Sequence, residues 1–292
     1  MDAGGDPRLE AAIGAVETWR GRDIGLTPTA STDGERRFLV EVDGDLFVLR
    51  VSSPVAPRPV GGLDAEVDIV RAAAAAGVTP GVIAWIPSLG CLVTQAVPGR
   101  PLSTSDALDH DVLASVVGSI RALHACPLPG VERSVFRDAD DLRRAALARG
   151  VTMPHAEAEA TEAMGRLGPA IEARSHHRVV CHGDLSLEHL FLDGERVWLA
   201  EFRHAGAGDA FEDLGSVAAH LALSQEQSEA LLTYYFGEAD DDSRCDLTMA
   251  RAAADYLIAM RTLAEPSVVS HMQTVEARLA QVAAAAAEAG VG

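Results

Sequence analysis

RVVCHGDLSLEHLFLDGERVWLAEFRHAGAGDAFEDL, residues 178–214, is the stretch that decides how this chain is read. A short run ending at Cys181 leads into the loop HGDLSLEHL, and two apolar runs, 190–192 and 196–200, flank an Asp193-Gly194 pair. Asp-Gly between apolar runs is a strong hairpin signal, because both residues tolerate the left-handed backbone that matches strand twist. His182, Asp184 and His189 precede the hairpin and Glu201 follows it. Pairing the strands therefore predicts Asp184, His189 and Glu201 at one edge of a sheet. One carboxylate able to receive a hydroxyl proton, beside two groups able to hold a cation, is the minimum equipment of a phosphoryl-transfer site.

The same segment resembles the catalytic loop and metal-binding hairpin of the aminoglycoside phosphotransferase and choline kinase superfamily, small-molecule kinases related in fold to protein kinases. The family pattern is H-G/N-D-L-x-x-x-N, an I-D-F/W turn, then A-x-x-G-D-x-x-x-D-L; this chain carries HGDLSLEH, AEF and AGAGDAFEDL. The resemblance places Asp184 on the catalytic base, His182 as the brace of its loop, and Asp209 and Asp213 on the two supporting aspartates. Two positions depart from it. His189 stands where the family has Asn and Glu201 where it has Asp, and these become the expected ligands of Mg²⁺ or Mn²⁺. Mg²⁺ prefers oxygen ligands in near-octahedral geometry, whereas a nitrogen ligand favours Mn²⁺. Two readings stay open: an active kinase, since macrolide kinases of the superfamily similarly carry His at the Asn position, or a catalytically impaired pseudokinase that binds nucleotide or ligand.

Upstream, Asp6-Pro7 ahead of Leu9, Ile13, Val16 and Trp19 predicts a capped helix ending at Gly21. Residues 38–42 and 46–51 around Asp43-Gly44-Asp45 predict a β-hairpin, and 82–85 and 90–95 two further strands, in an antiparallel sheet of about five. The polar loop TPTASTDGE before the first hairpin reads from its residues as an ordinary turn, and the resemblance lays it over nucleotide phosphates. In the same way Arg50, at the end of FVLR, falls on the cation that binds the α- and β-phosphates, with Glu66 on the next helix as its partner. A chain whose 24 basic residues are all Arg has no Lys to use there. GCLVTQAVPGRPL resembles the hinge of choline-kinase-like proteins and puts Gln95 and Val97 beside the adenine. ATP is the expected nucleotide, with GTP not excluded. The implied fold is α+β and protein-kinase-like, a small β-rich nucleotide-binding lobe over 1–95 and a large helical catalytic and substrate lobe over 96–292.

The helical part is read from spacing. Ser105 or Asp106 caps a helix carrying Leu108, Val112, Val116, Ile120 and Leu123. Helices are also expected over 137–150, 157–174, 217–223, 225–236, 246–263 and 268–289, with Glu238 to Asp242 as a solvated loop and His176-His177 as a surface pair.

Charge and composition bound the partners. With 48% hydrophobic residues in 292, the chain can bury a large core. A balance of 24 basic to 43 acidic residues, formally −19, argues against nucleic acid and anionic membrane surfaces. Cys91, Cys126, Cys181 and Cys245 lack metal-ligand spacing, and no apolar run is long enough to span a bilayer. A cytoplasmic monomer or homodimer is expected. The acceptor is expected to be a cationic small molecule bearing a hydroxyl: a choline- or ethanolamine-like amino alcohol, or an aminoglycoside or macrolide, with antibiotic resistance the role in the latter case. Only 4% of residues are aromatic, too few to assemble a cation–π cage with assurance, and the acidic residues of the C-terminal half could pair with ammonium groups instead.

Overall fold

Alternation of apolar and charged side chains in ERRFLVEV and DLFVLRVS makes two strands, β2 (Glu35–Val42) and β3 (Asp45–Ser52). They pair antiparallel from Val42↔Asp45 to Glu35↔Ser52, and the turn residues Asp43 and Gly44 take the positive φ of 53° and 92° that a two-residue hairpin needs. In this computed structural model, which describes residues 7–29, 35–52, 61–106, 109–174, 178–265 and 271–290, β1 (Ile24–Pro28), β4 (Val82–Ile86) and β5 (Cys91–Gln95) complete the sheet in the order β1-β2-β3-β5-β4. One face is covered by helix α1 (Pro7–Ala15), whose Leu9 and Ala12 join Val16 and Trp19 against Phe38, Val40, Leu49 and Val93. Each such side chain, fully buried, contributes roughly 1.5–3 kcal/mol. The expected Asp6 cap and residues 30–34 of the polar loop lie outside the described residues. The helix also ends sooner than expected, at Ala15; a 3₁₀ turn, Glu17–Trp19, then carries Trp19 inward before Gly21 reverses the chain at φ 73°.

Helix α2 (Gly62–Ala75) joins the two halves, because Ile69, Val70 and Ala73 are buried in the core of the helical half rather than in the first cluster. That core is shared by α3 (His110–His124), α6 (Ala210–His220) and α7 (Gln225–Phe236); a second forms among α4 (Val135–Ala148), α5 (Glu157–Ala173), α8 (Asp241–Ala264) and α9 (Met272–Glu288). The 24-residue α8 serves both, giving Leu247 and Ala250 to the first and Tyr256, Leu257 and Met260 to the second. It crosses α6 at Gly215, where a Cβ would come within 2.5 Å of the Ala250 backbone, so only glycine permits that approach.

Several boundaries differ from the sequence reading for one reason, the location of the capping carboxylate. Asp109 caps α3, accepting from the amides of Asp111 and Val112, because Asp106 is already bound by Arg100 at 2.7 and 2.8 Å; Leu108 lies outside the described residues. Asp209 forms a capping box with Glu212, starting α6 at Ala210 rather than 217. Asp240 does the same with Ser243, so the acidic run opens α8 instead of looping through. Residues 176–177 and 268–270 are outside the described set.

The catalytic segment forms two small sheets. β7 (Arg178–Cys181) pairs with β10 (Gly206–Asp209), and β8 (Leu190–Asp193) with β9 (Arg196–Leu199) and with β6 (Arg100–Pro101). Asp193 opposes Arg196, so Gly194-Glu195, not Asp193-Gly194, is the turn. No helix among the described residues is long and apolar enough to cross a membrane.

Candidate active site

β7 delivers the loop that starts at His182, and four side chains immobilise it. The Asp213 carboxylate, fully buried on α6, accepts from the backbone amides of His182 (2.7 Å) and Gly183 (2.8 Å) and from His124 Nε2 (3.1 Å). Burial pushes this carboxyl up, but the His124 bond and the neighbouring cations outweigh it and hold it below its ordinary value. One helical turn on, Ser216 Oγ accepts from the Leu185 amide at 3.1 Å. His182, also fully buried, contacts the Ala200 carbonyl through Nε2 at 2.7 Å and receives the Asp184 amide at Nδ1 at 3.3 Å. Those partners require the neutral Nε2–H tautomer, and burial lowers the imidazole accordingly. Gly183 sits at φ 81° with the His204 carbonyl only 2.5 Å from where a Cβ would lie, so a side chain there is excluded twice over.

Asp184 is thereby held facing two side chains the sequence reading missed. Arg261 of α8 reaches its Oδ2 at 2.9 Å and braces the Gly183 carbonyl at 3.2 Å, while His220 of α6 approaches Oδ1 at 3.3 Å. Burial alone would raise this carboxyl; Arg261, then His220 and His189, hold it well below the usual carboxylate range. His220 had a signal in the sequence: Asp213, Ser216 and His220 stand at i, i+3 and i+7, one helix face. Arg261 had none.

The structure brings His189 and Glu201 to one place, since the Ala200 amide donates to the His189 carbonyl at 2.9 Å. His189 Nδ1 donates to the Asp184 carbonyl at 2.9 Å, which leaves Nε2 as the lone-pair nitrogen, the arrangement metal-bound histidines ordinarily use. Glu201 holds a left-handed backbone, φ 69° and ψ 64°, which costs a non-glycine residue on the order of 1–3 kcal/mol and persists where the surroundings impose it. Of the two divalent cations, an imidazole ligand at His189 favours Mn²⁺, while a carboxylate at Glu201 suits either. Arg37 of β2 occupies one Glu201 oxygen at 2.5 Å.

Above these groups lies a cleft of about 530 Å³, counting its open mouth, lined by Arg50, Glu66, Gln95, Val97 and Glu201. Arg50 and Glu66 pair at 2.7 Å, both buried. Burial pushes the guanidinium down, but Glu66 more than offsets this and raises it. Arg50 Nη2 and Glu66 Oε2 are buried without a hydrogen-bond partner among the described residues, donor and acceptor capacity left for a ligand. A second cleft of about 560 Å³ lies on the other side of the loop, lined by Gly183, His220 and Arg261 and by the apolar side chains of Phe136, Phe211 and Leu257. Glu238 to Asp242 are not among its lining residues. Asp209, expected to support the loop, caps α6, its side chain accepting from the Phe211 amide at 2.9 Å.

His124, Cys181 and Asp213 form a further cluster, with ligand atoms within 4.8 Å of one another. Burial pushes the Cys181 thiol well up and both Asp213 oxygens are engaged, so this cluster braces the loop and does not present thiolate to a metal.

Residues 26–247 match the model of the phosphotransferase enzyme family. The chain is 30% identical over 220 residues to a streptomycin 3''-kinase of Streptomyces griseus, covering 67% of this chain and 80% of that one. In fold it is similar to a choline/ethanolamine kinase family protein of Mesorhizobium loti (TM-score 0.76, 24% identity, 95% of this chain and 93% of that one). It is also similar to a choline kinase of Cryptosporidium parvum (TM-score 0.74, 12% identity, 97% and 96%).

Proposed function

Because the chain belongs to the phosphotransferase enzyme family and is a small-molecule kinase acting on hydroxyl groups, we propose that it moves the γ-phosphate of ATP to a hydroxyl of an acceptor seated beside Asp184. One observation carries this reading: a single immobilised loop separates two cavities, with Gly183 lining one and Ala200, the partner of His182, lining the other. We take the lobe boundary to lie after Gln95. The Gln95 and Ala96 amides are engaged by Gly81 and Leu46, which leaves recognition of the base to Val97 in this reading. Arg50, oriented by Glu66, takes the α- and β-phosphates through its spare Nη2. Asp184 accepts the acceptor's hydroxyl hydrogen and aligns its oxygen for attack. A carboxylate held so far below its ordinary range is a weak base, so it orients early and takes the proton late, as suits a loose phosphoryl transition state. When bound, a divalent cation held by His189 and Glu201 would neutralise charge between the β- and γ-phosphates.

The cationic acceptor inferred from the net charge of −19 draws support from the streptomycin kinase. The cleft refines it. Its carboxylate Glu212 is tied to Arg133 and its Asp209 caps α6, while Arg133 and Arg261 add positive charge, so no carboxylate there is spare for an ammonium group. The part of the acceptor beside Asp184 is therefore apolar, with its amine at the mouth, which suits an aminated antibiotic or a short amino alcohol. We place the protein in the cytoplasm, acting as a monomer or homodimer without nucleic-acid or membrane partners. The reading of a decayed pseudokinase finds no support in the intact loop and its family. ATP and GTP consumption measured with Mg²⁺ and with Mn²⁺ across choline, ethanolamine, aminoglycosides, macrolides and amino sugars tests this. Turnover with an aminated acceptor is expected; none with either metal across the panel sinks it.

A further inference from the structure

Arg37 stands directly opposite Arg50 on neighbouring strands, in a Cα register pair of the β2–β3 ladder. Like charges so placed repel, and the chain compensates with a connected set. Glu35 lies 3.6 Å from Arg37, 3.8 Å from Arg50 and 2.8 Å from Arg203; Glu66 holds Arg50 and Glu201 holds Arg37. Three guanidiniums thus meet three carboxylates, and the set crosses from the sheet, at Glu35 and Arg37, to the turn after β9, at Glu201 and Arg203. Among these pairs Arg37–Glu201 engages the carboxylate expected to hold the divalent cation, and with side chains 19% and 22% exposed it is the most open to exchange. Arg37 also keeps a donor, Nε, with no hydrogen-bond partner among the described residues.

Resting on the kinase reading of this cleft, we propose that Arg37 is a placeholder cation and phosphate-contacting residue: it neutralises Glu201 while the cleft is empty and passes to the nucleotide's phosphate oxygens when the divalent cation takes Glu201. The exchange conserves charge at each step. A carboxylate released by one cation is met by another, and the freed guanidinium finds phosphate oxygens beside those bound by Arg50. It also links loading of the cation to release of a contact between the sheet and the turn after β9.

Binding alone tests it, without turnover. Mn²⁺ is titrated by electron paramagnetic resonance in the absence of nucleotide, and ATP by calorimetry at saturating Mn²⁺, on the wild-type chain and on Arg37→Gln, Arg37→Lys and Glu201→Gln. Arg37→Gln should bind Mn²⁺ about tenfold more tightly, since its competitor is gone, and ATP in the presence of Mn²⁺ about tenfold more weakly, since a charge-assisted contact is lost. Arg37→Lys should recover most of the ATP affinity, and Glu201→Gln should abolish the Mn²⁺ response. Unchanged Mn²⁺ and ATP affinities in Arg37→Gln overturn the exchange while leaving the kinase reading intact. A wild-type chain that binds neither Mn²⁺ nor ATP defeats both.

Discussion

The two flanks of the catalytic loop are built on different principles. On the acceptor side, Asp213, Ser216, His220 and Arg261 come from two packed helices; Asp213 and Ser216 anchor the loop through backbone amides, and His220 and Arg261 hold the Asp184 carboxylate. On the nucleotide side, Glu35, Arg37, Glu201 and Arg203 connect a strand to a turn through ion pairs, and the turn stores backbone strain at Glu201. The first arrangement fixes a geometry in advance, as positioning a nucleophile requires. The second offers interchangeable partners, as a cleft that admits a charged ligand and its cation requires.

The sharpest way to break the comparison is Asp184→Asn. Geometry on the acceptor side should persist while the proton acceptor is lost, so turnover should fall about 10²–10⁴-fold with ATP affinity nearly unchanged. An unaltered kcat refutes the assignment of Asp184. Next is Asp213→Ala, which leaves two buried amides unsatisfied and strips His124 of its acceptor. A loss of about 3 kcal/mol is expected, read from the urea midpoint, with activity lost in parallel. If instead stability holds and only activity falls, the loop is not held from α6 as described. Arg261→Gln is milder. It removes the 2.9 Å cation from Asp184, so kcat should fall about tenfold and the acid limb of its pH profile should move upward as the carboxyl returns toward its ordinary value.

Legibility in the sequence followed distance along the chain. Asp184, His189 and Glu201 flank one short hairpin, and local strand pairing is enough to bring its two ends together. Arg50 and Glu66 were legible because a strand end and the next helix are adjacent by topology, helped by the family resemblance. The Arg37–Glu201 contact spans 164 residues and the Arg261–Gly183 contact 78, and neither has a local pattern that announces it. Helix starts were misplaced where several carboxylates competed for a cap: Asp106 and Asp109 are chemically equivalent candidates, and only the Arg100 contact decides between them.

The smallest effect expected is a pH dependence of stability that arises at the loop. His182 is lowered below its ordinary value of 6.5 by burial, and His204, behind Gly183, well below it by burial and the nearby Arg261. In the folded chain both remain neutral as the pH falls past 6.5, whereas the unfolded chain takes up protons there. Stability from these two groups is therefore complete above 6.5 and is lost as the pH drops toward their folded values, by up to about 1.4 kcal/mol per unit for each. The depressed carboxylates Asp184 and Asp213 lose their contribution only in the range near 4 and below, and Glu212, Asp138 and Asp255, raised by burial, act with opposite sign above their ordinary range. Between pH 7.5 and 5.5 the histidines are expected to outweigh those carboxyls, since His182 and His204 enter the window from its middle at their unfolded value of 6.5. Urea titrations over that interval should show a falling midpoint, and histidine NMR should find the His182 ring in one neutral tautomer throughout. A His182 resonance that titrates with an ordinary midpoint would mean that its bonds to Ala200 and Asp184 do not hold the loop.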